Sequence, residues 1–284
     1  MTNNTLPVNF LYLGGDKCGS TWIWHILNQH PDVALANAKE IFYFDRFYDK
    51  GEDWYRRQFP KQPQAMRIGE ICHDYLYSET ALERIARDLP QDSRFLVTVR
   101  APVARSVSHW KYMLKIGRTN LCFEDAVREY PEIVENSLFG KHVQNARNHL
   151  GANRVFVLDF DQLKTDPKGF GGSLCSALDV PFIETLPYED RILEAQSARN
   201  PALVSVLRNG GWVLRRLGLP SLVSTVKSSP LVSKVLYTSD PAKTPPEPGA
   251  EILQELSDLF APDQARLTEL MEPGLKNRQE TQAV

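Results

Sequence analysis

Short apolar runs alternate along the chain with longer segments in which apolar positions recur every three or four residues. The short runs are apolar at successive positions, which is typical of strands that are covered on both faces. Strands are predicted at residues 9–14, 66–71, 94–99 and 154–160, and helices at 20–29, 79–88, 102–115, 123–130, 138–149 and 167–178. This alternation predicts an α/β fold around a parallel sheet with helices on both faces.

The last third of the sequence has a different character. No acidic residue occurs between Glu194 and Asp240, whereas six basic residues do. We interpret the chain as one domain, 1–284, with a mostly helical C-terminal part. Its predicted parts are a core at 8–195, a basic helical cap-like segment at 196–239, a proline-rich connector at 240–249, and a C-terminal helix and tail at 250–284 that frays after Pro273.

The basic segment has three interpretations. It is a lid over an acceptor cleft, an amphipathic surface at 205–237 that contacts anionic lipid, or a set of ordinary helices with exposed bases. The last is the simplest, since solvated basic side chains on a packed helix are common.

Composition excludes several classes of protein. The 284 residues are 42% hydrophobic and 24% charged, and 35 acids against 33 bases give a net charge of −2, so no nucleic-acid partner is expected. The first ten residues lack a basic segment before an apolar core, so no signal peptide is expected. Four cysteines without a CxxC pair favour neither zinc nor a disulfide framework, and they fit a reducing, cytoplasmic location.

The stretch GGDKCGST at 14–21 separates the first predicted strand from the first helix. Backbone N–H groups at a helix N-terminus bind anions, and glycines permit the tight turn and a close approach of backbone to the ligand at Gly19. Lys17 adds a charge, and Ser20 and Thr21 add hydroxyl donors. The ATP or GTP pattern requires lysine at position 20, so this P-loop-like turn holds a different anion. Cys18 is either activated by the helix or, as we favour, packed under the loop.

A second anion site is predicted after the strand at 94–99. Arg100 ends that strand and Ser108 follows on the next helix, so a guanidinium fork and a hydroxyl can meet one phosphate. For Arg100 and Arg105 the alternative is a surface charge. Both sites follow strands of one parallel sheet, where ligands bind, so a nucleotide with phosphate at its 5′ and 3′ ends would bridge them.

At this point the motifs resemble those of a known family. DKCGSTW is similar to the 5′-phosphosulfate loop of sulfotransferases, and the block around Arg100 resembles their 3′-phosphate motif. Three further blocks resemble the heparan sulfate 3-O-sulfotransferases and related carbohydrate enzymes: HPDVALANAKEIFYFD (30–45), GEDWYRRQFP (51–60) and GEICHDYLYS (69–78). The resemblance implies a P-loop-like fold, the donor 3′-phosphoadenosine 5′-phosphosulfate (PAPS), the product 3′,5′-ADP (PAP), and no metal.

The resemblance also implies roles for single residues. Lys17 would stabilise the leaving group, residues Lys17, Cys18, Gly19, Ser20, Thr21 and Trp22 would bind the 5′ end of the donor, and Arg100 and Ser108 would bind the 3′-phosphate. Glu40 aligns with the base of the heparan 3-O-sulfotransferases; without the resemblance it is a surface acid paired with Lys39. His73 is the rival base. Position 71 is isoleucine where the family often has lysine, which weakens the case for a polyanionic acceptor.

The implied acceptor is the hydroxyl, or less often the amine, of a glycan, glycolipid or glycosylated metabolite. One alternative is a small phenolic or alcoholic metabolite with His73 as base. Another is a non-catalytic module that binds PAP or a related nucleotide. A third, a nucleotide kinase-like phosphotransferase, requires magnesium and the lysine that position 20 lacks.

Overall fold

The structure, a computed structural model, describes residues 6–61, 64–190, 192, 197–198, 210–211, 214–216, 237–238 and 245–279, with side chains up to 271. Its centre is a five-stranded sheet in the order β2-β3-β1-β4-β5, in which all neighbours run parallel. The strands are β1 Phe10–Gly14, β2 Val33–Leu35, β3 Arg67–Ile71, β4 Arg94–Val99 and β5 Val155–Asp159. A separate pair, β6 Ser197–Ala198 and β7 Tyr237–Thr238, is antiparallel.

Helices follow the strands in chain order. They are α1 Ser20–Leu27, α2 Tyr43–Arg46, α3 Glu52–Arg56, α4 Glu79–Asp88, α5 Pro102–Lys115, α6 Phe123–Glu129, α7 Glu132–Glu135, α8 Phe139–Leu150, α9 Gln162–Thr165, α10 Pro167–Leu178 and α11 Ala250–Gln279. Short 3₁₀ turns lie at Tyr48–Lys50, Tyr75–Tyr77 and Ala152–Arg154. The predicted α/β class, the four strands and the six helices are confirmed. Strand β2 was missed, because three residues are too few to show a period of hydrophobic positions.

The core has a layer on each side of the sheet, as the two-sided apolar strands predict. Along β1, Leu11 and Leu13 pack in the layer that includes α4 and α8, whereas Phe10 and Tyr12 pack in the layer that includes α1 and α10. Successive strand residues point to opposite faces, so one apolar strand serves both layers. The carboxyl ends of β1, β3 and β4 therefore meet at one edge between the layers.

The C-terminal helix α11 closes the domain on the side of α5 and α8. Its Leu256 and Phe260 pack with Trp110 of α5 in a third apolar cluster. The Asp263 carboxylate accepts hydrogen bonds from the backbone N–H groups of Gly140 (2.7 Å) and Lys141 (2.8 Å). An acid from one helix thus satisfies N–H groups in the first turn of another.

The prediction of a frayed tail after Pro273 is wrong, because the helix continues to Gln279. Proline removes one helical hydrogen bond and kinks the helix without always ending it. The predicted cap-like segment 196–239 lies outside the described residues except at 197–198, 210–211, 214–216 and 237–238. Across the described ranges, every helix is too short or too polar to cross a membrane.

A buried acid beneath the sheet edge affects stability. Glu70 on β3 is fully buried and accepts hydrogen bonds from the hydroxyls of Tyr75 (2.7 Å) and Tyr55 (3.1 Å). Burial raises the pKa of Glu70 to about 7, although both hydroxyls act in the opposite direction. Since the unfolded chain releases this proton at a lower pH, stability falls between pH 4.5, the ordinary value, and about 7.

We expect Glu70→Gln to remove this pH dependence. Relative to the wild type, the free energy of unfolding of the variant should rise by up to about 3 kcal/mol from pH 4.5 to pH 8, since each pKa unit is worth about 1.4 kcal/mol. Urea denaturation at the two pH values measures the difference. Glu255→Gln, at an exposed position on α11, is the matched control. Parallel pH curves for wild type and Glu70→Gln would contradict the assignment.

Candidate functional site

The carbonyl groups of the loop between β1 and α1 are used inside the protein, as are the N–H groups of Gly15 and Asp16. The hydroxyl of Tyr12 donates to the carbonyl of Gly15 (2.9 Å), and that of Thr98 donates to the carbonyl of Cys18 (2.7 Å). Arg105 Nε and Arg100 Nη1 donate to the carbonyls of Asp16 and Lys17, both at 3.4 Å. With four successive carbonyls satisfied from the protein side, the first-turn N–H groups of α1 complete a site for an anion.

Lys17 occupies a left-handed conformation in this loop, with φ 65°. Its Nζ lies 4.2 Å from the ring centroid of Tyr112 on α5, a cation–π geometry. Burial lowers the pKa of the Lys17 ammonium, and the carboxylate of Asp16 offsets part of that effect. The loop therefore holds a partly desolvated cation beside the helix N-terminus, as the sequence predicts.

A second lysine reaches the start of α1 and was missed from the sequence. Lys39 Nζ donates to the hydroxyls of Thr21 (3.0 Å) and Ser20 (3.3 Å). Two cations and two hydroxyls thus surround the first turn of α1. Hydroxyls held in this way can donate to a bound anion.

Three residues of the loop have packing roles. The Cys18 thiol is fully buried and burial raises its pKa to about 12, so it packs under the loop as we favoured. The Trp22 side chain does not face the site, because its indole donates to the carbonyl of Tyr188 and packs against Phe170 in the core; only its backbone N–H can serve the donor. Gly19 has φ 88°, and a Cβ there would lie 2.5 Å from the Phe160 ring. The positive φ and the Phe160 ring each favour glycine at this position.

The second predicted anion site adjoins the first. Arg100 follows β4, and its guanidinium carbon lies 5.6 Å from the ring centroid of Phe160. Its Nε is buried without a hydrogen-bond partner in the described part of the chain. Ser108 is half-buried two turns along α5. Arg100 therefore lies at the loop, and Ser108 lies on α5, the helix that begins two residues after Arg100.

The two rival bases lie next to each other. Glu40 follows β2, and its N–H donates to the carbonyl of Ile71 at the end of β3. Its Oε1 lies 3.5 Å from His73 Nδ1, and its Oε2 lies 3.4 Å from Arg215 Nη2. His73 Nε2 in turn lies 3.1 Å from the carboxylate of Asp74, which also pairs with Arg46. We call Glu40, His73, Asp74, Arg46 and Arg215 the acceptor-side cluster.

The backbone conformation of Glu40 supports a role in a functional site. Its φ is 61°, a left-handed conformation that non-glycine residues seldom adopt. Such residues persist where the surroundings determine them, and they are concentrated at functional sites. Asp74 is paired with both His73 and Arg46.

Arg105 is not a surface charge, contrary to the alternative weighed for it. Its side chain is fully buried, and it reaches the Asp16 carboxylate from α5. The contact joins residues that are 89 positions apart in the chain. No local pattern in the sequence indicates such a pair.

One group of side chains in the described part has metal-ligand geometry. The ligand atoms of Glu79, Glu83 and His149 lie within 4.8 Å of one another. They belong to α4 and the end of α8, outside the loop and the acceptor-side cluster. The absence of a metal from the reaction stays a prediction.

The chain is similar to known sulfotransferases. Residues 76–184 match the model of the Sulfotransferase family. Human heparan sulfate glucosamine 3-O-sulfotransferase 3B1 is 27% identical over 184 residues, which are 62% of this chain and 47% of that protein. Membrane-associated sulfotransferase kil1 of Dictyostelium discoideum is 27% identical over 141 residues, 46% of this chain and 30% of that protein. The chain thus spans less than half the length of these relatives.

Two solved structures share the fold. A sulfotransferase from Alicyclobacillus acidocaldarius superposes with a TM-score of 0.58 at 21% identity, covering 76% of this chain and 95% of that one. Mouse sulfotransferase SULT7A1 in complex with PAP superposes with a TM-score of 0.50 at 13% identity, covering 98% and 89%.

Proposed function

We propose that this chain is a sulfotransferase, in line with its partial match to the Sulfotransferase family, and that it transfers the sulfuryl group of PAPS to a hydroxyl group of an acceptor. The S–O bond to the 5′-phosphate breaks, a bond to the acceptor oxygen forms, and the acceptor proton passes to a base. The observation that carries the proposal is the loop at 15–19, in which four inward carbonyls and Lys17 create an anion site at the start of α1.

Each part of the site has a task in this reaction. The N–H groups of residues 18–22 and the hydroxyls of Ser20 and Thr21 would hold the 5′-phosphosulfate, with Lys39 as a second cation. Lys17 would neutralise the charge that develops on the leaving oxygen. Arg100 and Ser108 would hold the 3′-phosphate. The complex of SULT7A1 with PAP supports the choice of nucleotide.

We assign the base to Glu40. The ring nitrogens of His73 face carboxylates, at 3.5 Å from Glu40 and 3.1 Å from Asp74, which suits a side chain that positions Glu40. A carboxylate has about four lone-pair sites, so Glu40 retains accepting capacity beside His73 and Arg215. His73 then positions Glu40 and does not take the proton itself.

We propose a glycan, glycolipid or glycosylated metabolite as the acceptor class. The support is the resemblance of residues 30–78 to carbohydrate sulfotransferases and the names of the heparan sulfate relatives. A screen of sugar, phenol and alcohol acceptors with labelled PAPS tests it, and labelling of phenols alone would contradict it. A cytoplasmic location stays a prediction. Membrane contact through 205–237 falls largely outside the described residues and stays a hypothesis that anionic-liposome co-sedimentation tests.

Binding of PAP is the most direct test of the donor. At about 100 times its Kd, PAP should add about 2.7 kcal/mol to stability and raise Tm by about 5 °C or more. ATP with magnesium is the control and should have a much smaller effect. Stabilisation by ATP with magnesium alone would reject the proposal in favour of a phosphotransferase. Binding of PAP without turnover of any acceptor would favour the non-catalytic module.

A further inference from the structure

A buried charge cluster joins the donor loop to helix α5. The Oδ2 atom of Asp16 lies 2.6 Å from His109 Nδ1 and 3.2 Å from Arg105 Nη2, both on α5. The backbone N–H of Asp16 donates to the hydroxyl of Tyr77 at 3.1 Å. Asp16 directly precedes Lys17, so the loop is attached at the residue beside its central cation.

Arg105 also binds the segment that contains α7 and Ser137. Arg105 Nη1 donates to the carbonyls of Glu132 (2.9 Å) and Ile133 (3.3 Å), and it lies 3.4 Å from the hydroxyl of Ser137. The Arg105 side chain has no exposed surface. A guanidinium fixed by so many acceptors cannot follow the loop if the loop moves, so Asp16 is held at a set position relative to α5.

Asp16 remains ionised in this setting. Burial by itself would raise the pKa of its carboxyl, but the hydrogen bond with His109 and the charges of His73 and Arg105 hold that pKa well below its usual range. The contact is therefore a buried ion pair with hydrogen bonds, and removal of its charge would loosen it.

The position of Ser108 shows which two sites the cluster connects. Ser108 lies on α5 between Arg105 and His109, the two residues that hold Asp16. The proposed 5′ and 3′ anion sites are thus joined through three side chains. A second contact, from Arg100 Nη1 to the carbonyl of Lys17 at 3.4 Å, also connects the two proposed sites.

We propose that Asp16, Arg105 and His109 set the distance between the two anion sites and so select nucleotides that carry phosphate at both ends. This inference rests on the proposed donor. PAP acts as a short bivalent ligand, and the second contact of such a ligand adds affinity only when the two sites have the matching separation. Nucleotides with one phosphate do not depend on that distance. Asp16 is a specificity-determining and positioning residue in this scheme.

The test compares PAP, 5′-AMP and 3′-AMP by isothermal titration on the full chain and on Asp16→Asn. The variant should lose about 10- to 100-fold in PAP affinity, since a changed separation of the two sites removes part of the gain from the second contact. Affinities for the two monophosphates should change by less than about threefold, because each contacts a single site. Asp92→Asn, at an exposed position, is the matched control and should behave as wild type.

The outcomes of the three titrations distinguish failure of the inference from failure of the proposed donor. An equal loss for all three nucleotides would show that Asp16 only supports loop folding, and no loss for any of them would show that the cluster is not needed; either result overturns the inference. If Asp16→Asn does not fold, as circular dichroism would show, His109→Gln carries the same comparison. A wild type that binds no PAP would instead refute the proposed donor.

Discussion

Replacement of Lys17 by alanine is expected to lower kcat for sulfuryl transfer by at least about 10²-fold, since loss of one preorganised group at a developing negative charge costs about 10²–10³-fold. Lys17 lies in a partly desolvated loop at the start of α1, where water screens its charge poorly. Steady-state kinetics with PAPS and the best acceptor measure the effect.

The control for this variant is Lys111→Ala. Lys111 lies on α5 next to Tyr112, the residue that Lys17 contacts, but its ammonium pairs with Glu247 at the surface. It should retain wild-type kcat. A Lys17→Ala enzyme with activity comparable to Lys111→Ala would remove Lys17 from the chemistry, and Lys39 would become the next candidate.

The second large effect is expected for Glu40→Gln. The amide keeps the shape of the side chain but cannot take a proton, so kcat should fall by about 10²–10⁴-fold, the usual contribution of a general base. The affinity for PAP should stay within about twofold, because a carboxylate on the acceptor side makes no favourable contact with a nucleotide phosphate. Acceptor turnover and PAP titration on the same preparation separate the two quantities.

His73→Gln is the decisive comparison for the base. If His73 only positions Glu40, its loss should reduce kcat by less than about tenfold and leave Glu40 as the proton acceptor. An inactive His73→Gln enzyme together with an active Glu40→Gln enzyme would reverse the assignment. Glu52→Gln, in a surface pair with Arg56, controls for a change of charge.

Much of the fold follows from the sequence because its elements have strong local periods. The runs that became β1, β3, β4 and β5 are apolar at successive positions, and the helix at Pro102–Lys115 has its boundaries set by Pro102 at its first turn and by apolar spacing. By contrast, β2 has only three residues and is defined by its pairing with β3. Tertiary contacts, which the local pattern does not contain, create that strand.

The same distinction holds at the site. The glycines, Lys17 and the hydroxyls are adjacent in the chain, so their common role can be predicted from their order. The partners His73 and Arg215 could not be predicted for Glu40, because they are distant in the chain and only the fold brings them to it. The buried contact of Asp16 with Arg105 spans 89 positions. Trp22 is adjacent to the loop in sequence, but its side chain packs in the core, which its position in the motif does not reveal.

The sheet order has a consequence for how the two proposed halves of the site can vary. The donor loop follows β1, whereas Glu40 and His73 follow β2 and β3. Under the proposed function, the donor contacts come mainly from the stretches after β1 and β4, whereas the stretch after β2 would serve both substrates through the neighbours Lys39 and Glu40. Changes around His73 would therefore alter the acceptor side while the loop after β1 keeps its sequence.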